Sequence, residues 1–253
     1  GYFGDTASVF AQVIGNELID IFGTGIEIDY YSYTSASAGP GDFTAYVAQN
    51  TITGGAPGSS TASYVNRGVA IMASGYDYSP DGGGLNTVVD VIGNNISDVR
   101  DDGIYVYNYT YSSGSGGANG TFDANASWNT VSTSPVTEGT GIEIRHSGSG
   151  YGSQVVNVWV NNNTVNNTSS DNVAVDINLY NYDSGAGLGD VSVWANNNTL
   201  NMAPFGGDTA IQIDVYGTSY GGGADLKVWM NDNTVVGGTG AGVTNIVHTQ
   251  GWV

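Results

Sequence analysis

Val156-Asn157-Val158-Trp159-Val160-Asn161-Asn162-Asn163-Thr164-Val165 returns 35 residues later as Val191-Ser192-Val193-Trp194-Ala195-Asn196-Asn197-Asn198-Thr199-Leu200. It returns again as Leu226-Lys227-Val228-Trp229-Met230-Asn231-Asp232-Asn233-Thr234-Val235. In each copy, apolar residues alternate with others ahead of the final Asn, the pattern of a half-buried strand. Each copy continues with Asn, one intervening residue and an aliphatic. Aligning the whole chain on that Asn gives Asn16, Asn50, Asn94, Asn129, Asn163, Asn198 and Asn233, spaced by 34, 44, 35, 34, 35 and 35 residues. The one long interval carries a Gly/Ser/Thr-rich stretch, Gly54 to Asn66, where a loop insertion is expected.

Behind each Asn lies a polar turn and a further alternating run: Gly25-Ile26-Glu27-Ile28, Gly68-Val69-Ala70-Ile71, Gly103-Ile104-Tyr105-Val106 and Gly141-Ile142-Glu143-Ile144. Val175-Asp176-Ile177, Ile211-Gln212-Ile213 and the neighbourhood of Val243 occupy the same place in the last three repeats. Each unit therefore reads as strand, Asn turn, short strand, polar turn, strand and a Gly/Ser/Tyr loop. No unit buries its own apolar face, but seven stacked units share a continuous core. The expected fold is all-β: a parallel β-helix of about seven coils, one domain over 1–253, roughly 34 Å long at 4.8 Å per coil.

The recurrent Asn-x-[Val/Ile/Leu] followed by Gly-[Ile/Val]-x-[Ile/Val] resembles the parallel β-helix repeats of the pectate-lyase-like superfamily. That resemblance implies a right-handed coil. The Asn column is expected to be a structural ladder, because Asn tolerates a left-handed turn and stacked amides bond from rung to rung. Thr51, Thr130, Thr164, Thr199 and Thr234 are expected in an outward column beside it.

Composition narrows the function. The 253 residues include 4 Lys+Arg against 23 Asp+Glu, a net charge of −19, with 40 Gly, 17 Tyr and no Cys. So few cations argue against nucleic-acid and anionic-lipid partners. No apolar run reaches the roughly 18 residues of a membrane helix, so membrane insertion is not expected. Without cysteine there is no disulfide, thiolate catalysis or Cys-ligated zinc. A start at Gly1 rather than Met reads as a processed, exported product, and the expected location is extracellular or at a prokaryotic cell surface.

Three groups of residues are candidates for chemistry. Trp159, Trp194 and Trp229 lie between inward valines and point outward, as a contact for sugars or another subunit, or as cargo for covering loops. Asp77, Asp81, Asp183 and Asp190 are candidate ligands for a structural Ca2+, since loops rich in Asp and backbone carbonyls supply the oxygens it takes. Asp101-Asp102 beside Arg100, with Arg145-His146 one coil later, resembles the Asp-Asp and His-Gly elements of polygalacturonases. It departs from them because Ser147 follows His146 and no Arg-x-Lys element exists. No catalytic residue is therefore assigned, and the chain is expected not to be an enzyme.

Repeat one is under way by Val9 and repeat seven runs nearly to Val253, which leaves no room for capping segments. The expectation is head-to-tail association of copies through bare strand edges, giving an extracellular filament, sheath or surface layer. The alternative on the end of the chain is a fragment of a longer repeat protein. The alternative on function is a carbohydrate-active or polysaccharide-binding β-helix. In make-up the chain is similar to prokaryotic, especially archaeal, sheath and fibre subunits.

Overall fold

A computed structural model describes residues 8–21, 23–34, 41–54, 67–78, 83–113, 120–133, 139–150, 154–167, 173–181, 188–202, 209–217, 225–237 and 246–251. The chain is an all-β parallel solenoid with three sheets of seven strands each, and no described residue is helical. The first coil shows the unit: β1 (Val9–Ile14), β2 (Glu17–Ile21) and β3 (Ile26–Thr34). Each strand pairs in parallel with its equivalent one coil later, β1 with β4 (Asp42–Ala48), β2 with β5 (Thr51–Gly54) and β3 with β6 (Val69–Asp77). In each sheet the five inner strands are paired on both sides. We number the coils as rungs one to seven and the sheets as first, second and third in chain order.

Stacking at one fixed repeat turns every position into a column. The inward columns are aliphatic: Ile52, Ile96, Val131, Val165 and Leu200 in the second sheet, and Ile71, Val106, Ile144, Ile177 and Ile213 in the third. All of these are buried, with Phe43 and Phe122 the bulkiest side chains of the core. The Thr column also forms, running Thr51, Asn95, Thr130, Thr164, Thr199 and Thr234, each at least partly exposed. The corner before the third sheet is too tight for a side chain. A Cβ on Gly103 would stand 2.1 Å from Val131 Cγ1 and 2.6 Å from the Gly141 carbonyl oxygen. Ala174 and Ala210 take this place in later coils, where a methyl is accommodated.

The Asn ladder runs unbroken through all seven anchors. The backbone N–H and Nδ2 of each Asn donate to Oδ1 of the next, at 2.9–3.2 Å. The remaining Nδ2 proton goes to a carbonyl of the preceding coil, as from Asn129 to Val91 O at 2.8 Å. Every inner amide thus uses both donors and both acceptor sites, which is what permits its burial.

One expectation is corrected. The left-handed residue of the turn is not the ladder Asn but the one before it: Gly15, Gln49, Gly93, Trp128, Asn162, Asn197 and Asp232, with φ of 55–68°. Trp128 is the outlier among them, because a bulky side chain in that region costs about 1–2 kcal/mol. The Gly54–Asn66 insertion lies outside the described residues apart from Gly54. The seventh strand of the third sheet is Ile246–Gly251, downstream of the stretch around Val243, which also lies outside them.

Asn129→Ala takes the acceptor from the buried Asn94 N–H and from one Nδ2 proton of Asn94, each worth about 1–3 kcal/mol. Asn16→Ala, at an exposed rung, is expected to cost a small fraction of that. Chemical denaturation of the two variants measures the difference.

Candidate functional site

Three arrangements of side chains stand out on the solenoid. On the third sheet, Tyr105, Glu143, Asp176 and Gln212 form one outward column, with Asp102 and Arg67 at the corner beside it. Arg67 Nε bonds Asp102 Oδ2 at 2.9 Å, approaches Asp101 at 3.7 Å, and its guanidinium lies 3.8 Å from the centre of the Tyr105 ring. Asp102 Oδ1 accepts weakly from the Thr140 N–H at 3.4 Å. Glu143 lies close to the Asp102 carboxylate and is paired with Arg145.

Asp102 and Glu143 are 3% and 5% exposed, so their ionisation is costly. Burial, reinforced by the Asp102 charge, pushes Glu143 up to about 8. Burial likewise raises Asp176 to about 6. Asp102 is raised by burial and by Asp101, against the pull of Arg67. A carboxylic acid beside a carboxylate is the pairing of general acid–base catalysis, but it needs access to substrate. In this structure the pair is closed to solvent.

The expected partners of Asp102 are only partly the observed ones. Arg145 is in the cluster through Glu143, but His146 is not. Ile142, Ile144 and His146 alternate inward, so His146 is wholly buried, 5.6 Å from the Phe122 ring. Its Nδ1 accepts from Asn108 Nδ2 at 3.1 Å, and Thr87 Oγ1 donates to Asn108 Oδ1 at 2.9 Å. Burial drives its pKa down to about 3, which keeps the ring neutral. Arg67, Glu143 and Asp176 were missed as cluster members. The signal for the last two was the shared Gly–Ile register, which stacks Tyr105, Glu143 and Asp176.

The second arrangement is the Trp column on the first sheet, where Gln12, Tyr46, Asp90, Asn125, Trp159, Trp194 and Trp229 succeed one another. The indoles are half-buried to exposed, and they cover one another. Trp159 and Trp194 stack at 4.9 Å with planes 2° apart, and Trp194 and Trp229 at 4.8 Å and 4°. Both faces of Trp194 are therefore occupied, and the column presents edges rather than a platform of faces.

The two candidate metal residues that the structure describes, Asp77 and Asp190, do not meet. Asp77 ends the rung-two strand of the third sheet and accepts from the Gly83 N–H. Asp190 lies on rung six of the first sheet, where it accepts from the Asp225 N–H at 3.4 Å. Four rungs separate them, about 19 Å. Asp81 and Asp183 lie outside the described residues. Among the described residues no three His, Cys, Asp or Glu side chains are grouped to hold a metal ion, and no helix is long and apolar enough to cross a membrane.

The third arrangement is the pair of edge rungs. Inward-facing Val9 is 39% exposed on rung one, whereas its column neighbour Phe43 on rung two is 1% exposed. Val228, Met230 and Val235, inward on rung seven, are likewise only partly buried, while Val193, Ala195 and Leu200 beneath them are fully buried. No protein-family model, curated protein or solved structure matches this chain.

Glu143 and Asp176 keep protons in the folded chain at pH values where the unfolded chain has released them. Their stabilisation is complete below about pH 4 and is lost as pH rises through about 6 for Asp176 and about 8 for Glu143. The thermal midpoint is therefore expected to fall between pH 5 and 9, and Glu143→Gln to flatten the alkaline part of that fall. Calorimetric scans across pH check both.

Proposed function

We propose that this protein is a structural subunit that polymerises end to end, copy upon copy, into an extracellular filament, sheath or surface layer of a prokaryote. The observation that carries the reading is the matching polarity of the two edge rungs. Along the ladder every Asn donates toward higher rungs and accepts from lower ones. Rung one therefore ends in an acceptor, Asn16 Oδ1, and rung seven in donors, the N–H and Nδ2 of Asn233. No ladder amide precedes the first or follows the second among the described residues.

A second copy set on rung seven continues the ladder, the three parallel sheets and the aliphatic columns in register. It covers Leu226, Val228, Met230 and Val235 with Val9, Ala11, Val13 and Leu18 of its own first rung. Such a contact joins two different surfaces without closing on itself, which yields an open fibre. It also supplies partners to edge N–H and C=O groups that otherwise invite uncontrolled pairing. Within this reading the coil is right-handed and akin to the pectate-lyase-like β-helices, and the low content of charged side chains suits a durable, inert material. The acidic surface keeps fibres apart laterally by repulsion, so that growth is along the axis.

Negative-stain microscopy and sedimentation of the native protein are expected to show rods many subunits long. Val13→Asp places a charge on the inward side of rung one and is expected to leave single copies with unchanged β-sheet content. Thr199→Lys, on a lateral column, is expected to polymerise as before. Monodisperse single copies of the unaltered protein at every concentration would overturn the proposal.

A further inference from the structure

The Trp column stops at rung five, and the step it leaves is a slot with the chemistry of a sugar subsite. Below Trp159 the column continues as Asn125 and Asp90, side chains too short to cover the indole. The lower face of Trp159 therefore forms one wall of an open groove of about 600 Å³. Asp90, Asp123, Asn125 and Ser127 line it together with Trp128. Trp128 is 65% exposed and holds φ of 63°. At the six equivalent turn positions stand Gly, Gln, Asn or Asp, residues that tolerate that conformation better. An exposed aromatic retained at a strained backbone position beside a groove marks that groove as a functional candidate.

The polar groups of the groove are arranged rather than merely present. Asn125 Nδ2 donates to Asp90 Oδ1 at 3.0 Å, Asn157 Nδ2 to Asp123 Oδ1 at 2.8 Å, and Ser127 Oγ to Asn125 Oδ1 at 2.6 Å. Each carboxylate is thus oriented through one oxygen, and the second has no partner among the described residues. No cation lines the groove. The nearest in the same set of columns, Lys227, lies three rungs from Asp123 and faces Asp225 at 3.8 Å.

A flat aromatic wall with acceptors beside it selects a ligand that is apolar on one face and rich in donors at its rim. A pyranose ring has that form. Phosphate and carboxylate ligands are repelled by Asp90 and Asp123. We propose that this slot binds a hexopyranose unit of a neutral or amino-substituted glycan, with the ring against Trp159, its rim against Trp128 and its hydroxyls or ammonium on Asp90 and Asp123. The site is lateral, so it operates whether or not copies associate end to end.

Titration calorimetry of the full-length protein with cellopentaose, chitosan pentaose and pentagalacturonate tests the proposal. Cellopentaose and chitosan pentaose are expected to bind, the latter more tightly at low salt, and pentagalacturonate not to bind. Trp128→Gly and the double variant Asp90→Asn/Asp123→Asn are each expected to weaken binding about tenfold or more. Trp128→Gly is at the same time expected to raise the thermal midpoint by relieving the turn, which separates loss of the site from loss of the fold. Absence of binding by both non-acidic pentaoses overturns the proposal. Equal binding of pentagalacturonate does so too, as does a Trp128→Gly variant that changes assembly but binds glycan as before.

Discussion

The structure depends on one repeated bond, the amide of each ladder Asn reaching the amide of the next. Because both the backbone N–H and Nδ2 converge on the same Oδ1, a rung displaced by a single residue loses three bonds at once: those two and the Nδ2 bond to the preceding coil. The ladder therefore fixes register, and register makes columns of the remaining positions. Aliphatic columns gain from this, since like packs on like without a gap. Aromatic columns gain by face-to-face stacking, as in Trp159–Trp194–Trp229 and Tyr180–Tyr216 at 5.0 Å.

Charged columns gain nothing, because like charges on adjacent strands repel. The chain carries 23 acidic residues and handles this largely by alternation. Asp90 is followed in its column by Asn125, and Asp123 by Asn157, so that each carboxylate receives an amide proton from the next rung instead of a second charge. Glu143 stacked on Asp176 breaks the pattern. The consequence is physical: with Asp102 also adjacent and water excluded, the folded chain retains protons there, while Arg67 and Arg145 offset part of the negative charge. An arrangement of this kind is least costly in an acidic medium.

Legibility in the sequence followed the same division. Whatever repeats at the period of the ladder was readable: the three sheets, the inward aliphatics, the Thr column, the outward tryptophans. His146 was readable too, since Ile142-x-Ile144-x-His146 sets its direction, but a comparison of motifs obscured the alternation. Arg67 was hidden because it follows the insertion in the one long repeat, where counting residues from the Asn gives no register. The left-handed residue was misplaced by one because Asn occupies both that position and the anchor in Asn162-Asn163 and Asn197-Asn198, and only the chain geometry separates them. Two of the four metal candidates, Asp81 and Asp183, lie outside the described residues, and Asp77 and Asp190 are set on different sheets four rungs apart.

The end of the Trp column links the two proposed properties. A column of indoles running the full length would cover every face but the outermost, and a lateral surface of edges offers a sugar little to stack on. Interrupting the column at Asn125 exposes one face laterally, while the opposite end, Trp229 at 37% exposure, points along the axis. In a head-to-tail stack that second face meets Gln12 of the following copy, the next member of its column, and is covered. Each copy then contributes one open slot, and slots recur along the fibre every seven rungs, about 34 Å. A glycan long enough to span that interval engages several slots at once, so weak binding at each becomes firm attachment of the fibre without any further contact.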